Sequence, residues 1–261
     1  MRQLIVNADD FNLTEGISRA VFFAHDHGIV NSTSVMINFP LSQFQLQGLK
    51  NRPNLGTGLH LNVTSGLSRF KKANAYLSGQ FDPRNLKVEY NAQIQYFYSI
   101  FKRLPDHLNT HHHIHASPKV FSVVAKLAEK YKIPMRRINA LTLALSHKVG
   151  EGKSLTSSPL PQGEGRVREV MTTHYFFGNL SPQKYWTEES LMTILENLPE
   201  GTSEIMCHPG FIDSELRSKS SFLAGRDFER RLFSKNSIHQ FLRHQGIQQV
   251  KFSSLRSGSV L

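Results

Sequence analysis

The sequence predicts an α/β protein, a (β/α) barrel of mostly parallel strands. Three observations predict it. Short apolar runs alternate with amphipathic helical stretches along most of the chain. No two consecutive strand candidates are joined by a two-residue hairpin turn. The 261 residues match the roughly 250 typical of a β/α barrel, and seven or eight strand candidates fall within them.

The first strand candidate is Leu4-Ile5-Val6, which runs into Asn7-Ala8-Asp9-Asp10-Phe11. A helix is predicted from Glu15 to His27, with Ile17, Ala20, Val21 and Ala24 on one face and Thr14 and Gly28 as caps. A second strand is predicted from Ser34 to Phe39, stopped by Pro40, and a helix from Leu41 to Leu49. Gly56 to Asn62 is the third strand; its glycines imply close backbone packing. The polar stretch from Thr64 to Pro83 reads as a long loop of the kind that forms lids or binding loops. A helix follows from Val88 to Arg103, then a fourth strand from His107 to Thr110, ending in His111-His112-His113-Ile114-His115. Pro118 opens a helix through Tyr131, and Ile133 to Ile138 is the fifth strand. From His147 to Arg168 the chain is rich in Gly, Ser, Pro and charge and reads as a disordered insertion (147–168). Order returns near Val170. A helix is predicted from Thr187 to Asn197, a strand from Ser203 to Cys207 ending in His208-Pro209-Gly210, helices from Asp227 to Phe233 and Ser237 to His244, and a last strand from Gln249 to Phe252. The whole chain, 1–261, reads as one domain interrupted by the insertion.

Bulk composition bounds the function. The single cysteine, Cys207, permits no internal disulfide and fits a reducing compartment. Met-Arg-Gln leads directly into the first strand without a signal-peptide pattern, and no apolar run approaches a membrane span. The expectation is a soluble cytoplasmic protein of undetermined oligomeric state. The net charge of +11 is spread along the chain, with crowding from Arg226 to Lys235, and reads first as a solvated surface. Zinc-finger spacing, an RNP-type strand and a helix-turn-helix are all missing, which argues against nucleic acid. Weak peripheral contact with an anionic membrane stays open.

Four strand ends carry groups able to bind metal or move protons: Asp9-Asp10, His60, His111 to His115, and His208. A parallel barrel aims all of them at one mouth. One alone reads as a hydrogen-bonded structural residue or a helix cap; four together read as a site. One carboxylate and two imidazoles suit Zn²⁺, Fe²⁺ or Mn²⁺, and less typically Mg²⁺, which prefers oxygen. Such a cation acts as a Lewis acid and acidifies water. Adjacent strand residues point apart, so the two aspartates should do different jobs, one as ligand and one as base.

These motifs resemble the YdjC-like carbohydrate deacetylases, with the hopanoid-biosynthesis-associated deacetylase HpnK as the nearer branch. The resemblance runs from Leu4–Phe11 (LIVNADDF) through Gly28–Asn38 (GIVNSTSVMIN), Gly58–Asn62 (GLHLN), Asn109–His115 (NTHHHIH) and Thr173–Gly178 (THYFFG) to Glu204–Asp213 (EIMCHPGFID). It implies a deacetylase-type barrel that hydrolyses the N-acetyl group of an amino sugar, with a divalent metal ion, Mg²⁺ by family habit and Zn²⁺ or Mn²⁺ as alternatives. Carried over by motif, Asp10, His60 and His111 are the metal ligands. Asp9 is the general base, His208 the general acid, and Arg137 the arginine that orients Asp9. His115 contacts substrate or a ligand, while His112 and His113 are structural. The implied partner is an amino-sugar glycan, or a glycolipid on the HpnK branch. Two departures stand out. Asn12 occupies a position that is usually Gly, a mild change because Asn tolerates left-handed backbone. The insertion replaces sequence that is often helical. Two other readings remain beside this one: a hydrolase of another amide or a phosphoester, and an inactive sugar- or metal-binding barrel.

Overall fold

The computed structural model describes residues 1–64, 82–137, 170–178 and 186–256. The predicted insertion at His147 to Arg168 and nearly all of the loop from Thr64 to Pro83 lie outside them.

Every strand pair in the sheet is parallel. The strands are β1 (Arg2–Phe11), β2 (Ser32–Val35), β3 (Gly56–Leu61), β4 (Leu108–Thr110), β5 (Tyr175–Phe177), β6 (Gly201–Cys207) and β7 (Gln248–Gln249). Their order is β4-β3-β2-β1-β6-β5, with β7 beside the start of β1. Backbone hydrogen bonds carry the sheet round past β4. Leu108 N–H donates to Pro134 O at 2.8 Å, Arg136 N–H to Leu108 O at 2.9 Å, and Met135 N–H to Met171 O at 2.9 Å. His174 N–H then donates to Thr202 O at 2.8 Å, where β5 joins β6. The sheet therefore curls into the predicted α/β barrel and closes through 134–136 and 171–177.

The helices are α1 (Glu15–His27), α2 (Gln43–Lys50), α3 (Pro83–Phe101), α4 (Pro118–Tyr131), α5 (Glu188–Glu196), α6 (Ser214–Lys219), α7 (Ala224–Phe233) and α8 (Asn236–His244). Local chemistry starts them. Thr14 caps α1 by accepting from Ile17 N–H, Ser42 and Gln45 form a capping box on α2, and proline opens α3 and α4. Along β1, Leu4, Val6 and Ala8 face the helices, in the same apolar cluster as Ile17, Val21 and Ala24 of α1.

Several boundaries differ from those expected. The second strand is Ser32–Val35, not Ser34 to Phe39, because its partners Asn7 and Ala8 on β1 meet Ser32 and Thr33. The fifth strand shrinks to an isolated bridge between Leu108 and Met135. The last strand is Gln248–Gln249, and Phe252–Arg256 is a 3-10 turn. Helix α6 and strand β5 are too short to show a period in the sequence.

Gly58 shows why β3 needs glycine. A Cβ there would lie 2.2 Å from the His107 ring, which stacks on Phe252 at 4.0 Å and reaches Ser34 Oγ at 3.2 Å. Gly58→Ala should therefore destabilise the protein by about 1–3 kcal/mol through overpacking. Denaturant unfolding measures this; an unchanged midpoint would mean the ring moves aside freely.

Candidate active site

The site begins with a fault in β1. Asn7 and Ala8 pair with Ser32 and Thr33, but the next pair is Phe11 with Val35, so Asp9 and Asp10 together oppose one residue. Strict alternation would send Asp10 outward with Ala8. Instead Asp10 adopts a left-handed backbone at φ 68°, a conformation costly for a residue with a Cβ. Phe11 takes the outward place and packs on Phe22 of α1 at 5.3 Å. The bulge thus brings both carboxylates to the mouth with different neighbours. Asn12 is also left-handed, at φ 75°, and its amide donates to Met36 O at 3.0 Å and Phe39 O at 2.8 Å.

Asp10 Oδ1 lies 3.2 Å from His60 Nε2 and 3.1 Å from His111 Nδ1. All three residues are buried, with their candidate ligand atoms within 4.8 Å of one another. Metal bonds of about 2.0–2.2 Å at right angles put neighbouring ligand atoms ~3 Å apart, so this donor set fits a divalent cation. His60 Nδ1 meets Asn109 Oδ1 at 2.7 Å, which leaves Nε2 for the ligand side. Burial alone would raise the Asp10 carboxyl, but the Arg226 guanidinium, His111 and His60 hold it well below the usual range. Burial works against a charged His60, and Asp9 and Asp10 outweigh it, so His60 is raised.

Asp9 points into the barrel, where Arg136 Nη1 and Nη2 donate to its two oxygens at 2.7 and 2.8 Å. Asn7, Asn109 and Ser34 add hydrogen bonds to Oδ1 at 2.7, 3.1 and 3.3 Å. Burial opposes ionisation of Asp9, yet Arg136 holds the carboxyl far below its ordinary value. Arg136 also grips Glu204 Oε1, at 2.7 Å from Nε. Burial pushes Glu204 up to about 7 even so. The arginine on Asp9 is therefore Arg136 and not Arg137. Arg137 is half-buried, with Nη1 3.5 Å from the Thr173 carbonyl.

The histidine tract does not run on as a strand. It forms a 3-10 turn, His111–Ala116, in which His112 and His113 are left-handed at φ 57° and 50°. His111 turns toward Asp10, while His112 is exposed and meets Thr64 Oγ1 at 2.8 Å. His113 Nε2 lies 3.0 Å from Met206 Sδ. His115 is fully buried, held through Nδ1 by Thr110 Oγ1, and pushed down to about 3 by burial and by Arg136. That burial removes His115 from the surface a substrate could touch.

His208 stands at the end of β6 beside Phe222, ring centroids 6.0 Å apart. Burial pushes its imidazole down to about 4 against the pull of Asp10 and Asp9. Its backbone N–H donates to Glu229 Oε2 at 2.6 Å, and Arg226 Nη2 donates to Asp10 Oδ2 at 2.6 Å. Arg136, Glu204, Asn7, Asn109, Arg226 and Glu229 all went unnoticed as site residues in the sequence. Asn7, Asn109 and Glu204 lay inside motifs that carry the resemblance, and Arg136 stood beside Arg137 after the fifth strand candidate.

The fold recurs in solved structures. A crystal structure described as a putative cellobiose-phosphate cleavage protein from Enterococcus faecalis V583 superposes with a TM-score of 0.75 at 25% identity, covering 97% of this chain and 98% of that one. The Xyl-CE4 domain of a multidomain xylanase, from the hindgut metagenome of Trinervitermes trinervoides, shares the fold at a TM-score of 0.52 and 9% identity, covering 98% and 90%. The chain belongs to the YdjC-like protein family, whose family model matches residues 3–244. A carbohydrate deacetylase of Thermoanaerobacter pseudethanolicus is 31% identical over 98% of this chain and 100% of its own length. A chitooligosaccharide deacetylase of Proteus mirabilis is 29% identical over 97% and 98%.

Two predictions follow from the charges. Arg136→Leu would strand two buried carboxylates and should cost about 3–5 kcal/mol, measured by denaturant unfolding. Arg137→Leu should cost clearly less, and equal losses would restore Arg137 to the role expected of it. The second concerns acid. His107, His113, His115 and His208 are held below an ordinary imidazole, so their stabilising effect is lost as pH falls from the unfolded value near 6.5. Glu204 and Glu229 are both pushed up to about 7 by burial, and His60 is raised; these favour the fold at lower pH, and their effect is lost as pH rises through the folded values. Between about pH 6.5 and 4.5 the four imidazoles lose their stabilising effect as pH falls and only the two carboxyls gain theirs, since His60 is protonated in both states there. Below that the raised groups are protonated in both states, while Asp9 and Asp10, held low, begin to lose their contribution too. The melting temperature in chelator should fall gradually as pH drops from about 6.5 to 4.5 and more steeply below that. A melting temperature that stays flat or rises over that interval would contradict this balance.

Proposed function

We propose that this protein removes the N-acetyl group from an amino sugar, with a divalent cation held by Asp10 Oδ1, His60 Nε2 and His111 Nδ1. The observation that carries the reading is the convergence of both imidazoles on one carboxylate oxygen, at 3.2 and 3.1 Å. A cation bound there supplies Lewis-acid polarisation of the acetyl carbonyl and acidifies water. The imidazoles favour Zn²⁺ or Mn²⁺, and Mg²⁺ is the alternative from the family.

Hydrolysis needs one proton taken from the attacking water and one delivered to the leaving amine. Asp9 is the proposed acceptor. Arg136 keeps it ionised and fixed, and among the described residues Arg136 Nη1 is the one donor to its Oδ2. His208 is the proposed donor. With its imidazole at about 4, it is neutral near pH 7, so it acquires the proton it delivers during turnover. The Asp9 and Asp10 carboxylates favour that imidazolium. Arg136 orients the base.

The substrate is an acetylated amino-sugar glycan or a glycolipid with the same headgroup, including the hopanoid case. The relatives' names support the glycan, and the net charge of +11 supports contact with an anionic lipid surface. The lone Cys207 supports work in the cytoplasm, and no helix among the described residues is long and apolar enough to cross a membrane. A second reading, cleavage of a phosphorylated sugar, draws on the description of the Enterococcus structure.

Acetate release from chitooligosaccharides and an N-acetylglucosaminyl glycolipid should vanish on chelation and return with Mn²⁺, Zn²⁺ or Mg²⁺. Phosphate release from sugar phosphates without acetate release would select the second reading. Asp10→Asn should lose bound metal by elemental analysis. Asp9→Asn should keep metal and lose about 10²–10⁴-fold in kcat; full activity would remove Asp9 as the base.

A further inference from the structure

Helix α7 carries two buried charged side chains that the reaction outlined above leaves unused. Arg226 is 4% exposed and Glu229 2%. Three residues apart, they lie on one helix face. Arg226 reaches the end of β1: its Nη2 donates to Asp10 Oδ2 at 2.6 Å, while the other oxygen of that carboxylate faces His60 and His111. Glu229 reaches the end of β6: its Oε2 accepts the His208 backbone N–H at 2.6 Å. Its Oε1 lies 3.5 Å from Trp186 N, and the Trp186 indole in turn donates to Met206 O at 2.7 Å. Gly210 lets α7 come this close, since a Cβ there would sit 3.1 Å from Arg226 Cβ. Nε and Nη1 of Arg226 have no hydrogen-bond partner among the described residues, although the guanidinium lies over the Phe222 ring, 5.7 Å from its centroid. An arginine serving only to stabilise the fold would be expected to fill its donors, because a buried guanidinium with few partners is costly.

We propose that Arg226 and Glu229 are a pair of positioning residues on one helix. Arg226 occupies Asp10 Oδ2, so that Oδ1 alone is offered to a cation. Glu229 fixes the backbone at His208, so that its imidazole faces the same centre. The sheet pairs β1 with β6 as far as Ala8 and Cys207, and the pair on α7 positions the groups just beyond that last pairing, the ligand on β1 and the proton donor on β6. The proposal rests on the reading of Asp10, His60 and His111 as the cation site and of His208 as the proton donor.

The test compares the wild-type protein with Arg226→Met, Arg226→Lys, Glu229→Met and Glu229→Gln. Each is stripped with chelator and titrated calorimetrically with Mn²⁺, and kcat and KM are measured separately on a chitooligosaccharide. Arg226→Met should weaken Mn²⁺ binding about 10–100-fold, the range expected when a ligand loses its hydrogen-bond partner. Arg226→Lys keeps the charge without the planar fork and should recover part of the loss. Glu229→Met removes the acceptor of the His208 N–H; it should hold Mn²⁺ affinity within about twofold and lower kcat about tenfold with KM unchanged, since a misplaced proton donor affects turnover rather than binding. Glu229→Gln keeps an acceptor oxygen and should recover most of that loss. A purely structural role would lower melting temperatures and leave these constants alone. Mn²⁺ affinity within twofold of wild type in Arg226→Met, or unchanged kcat in Glu229→Met, would overturn the pair; if Glu229→Met fails to fold, a tenfold loss of kcat in Glu229→Gln overturns the role given to Glu229. If Arg226→Met fails to fold, Arg226→Lys decides: a several-fold weaker Mn²⁺ constant supports the proposal, and wild-type affinity sinks it. A wild-type protein that binds Mn²⁺ but releases no acetate ends the reading of the reaction, while the Mn²⁺ titrations still decide the proposal through Arg226. A wild-type protein that takes up no cation ends both.

Discussion

The guanidinium of Arg136 is fully buried inside the barrel, clamped between Asp9 and Glu204. Two carboxylates and one arginine cannot all stay charged in a dry interior without leaving a net negative charge. The barrel resolves this unequally. Asp9 takes both Nη atoms and further hydrogen bonds from Asn7, Asn109 and Ser34, and stays ionised. Glu204 keeps one oxygen without a partner among the described residues and is pushed up to about 7. A single cation thereby fixes which acid in the interior is charged. It also explains why the interior is a polar network instead of the aliphatic layers common in such barrels. The apolar burial that holds the fold lies on the outward side, where Leu4, Val6 and Ala8 meet the helices.

The second constraint is backbone shape. Alternation along a strand cannot give two neighbouring carboxylates to one mouth. The bulge at Asp9 and Asp10 does so, at the cost of a left-handed aspartate. The histidine tract uses the same device: two left-handed residues let His111 turn to Asp10 while His115 turns back into the core. The strain is concentrated where the geometry has to be unusual, and regular strands on either side hold it in place.

What could be read in the sequence follows from this. The barrel was legible because alternation of strand and helix is a long-range pattern, and α4 came out residue for residue because Pro118 marks its start. Asp10, His60 and His111 were legible as strand-end groups. Their convergence was not, since it depends on a bulge and on left-handed residues that side-chain types do not announce. Arg136 and Arg137 look alike in sequence; only the phase of a bridge at Met135 decides which of them points inward. Arg226 was hidden for a different reason. It opens a run of basic residues through Lys235 that reads as a solvated face, yet the first of them is buried against Asp10 while Arg231 is exposed.

The reagents and their alignment thus come from different parts of the chain. The candidate ligands and proton carriers sit at the ends of β1, β3, β4 and β6, where a motif search finds them. Their orientation comes from Arg136 inside the barrel and from α7 outside it. A chain could therefore keep every strand-end residue and still be inert, if the arginine behind Asp9 or the helix behind Asp10 were lost. Change at Arg136 or on α7 bears on whether the site can act at all, even where the strand-end motifs are intact.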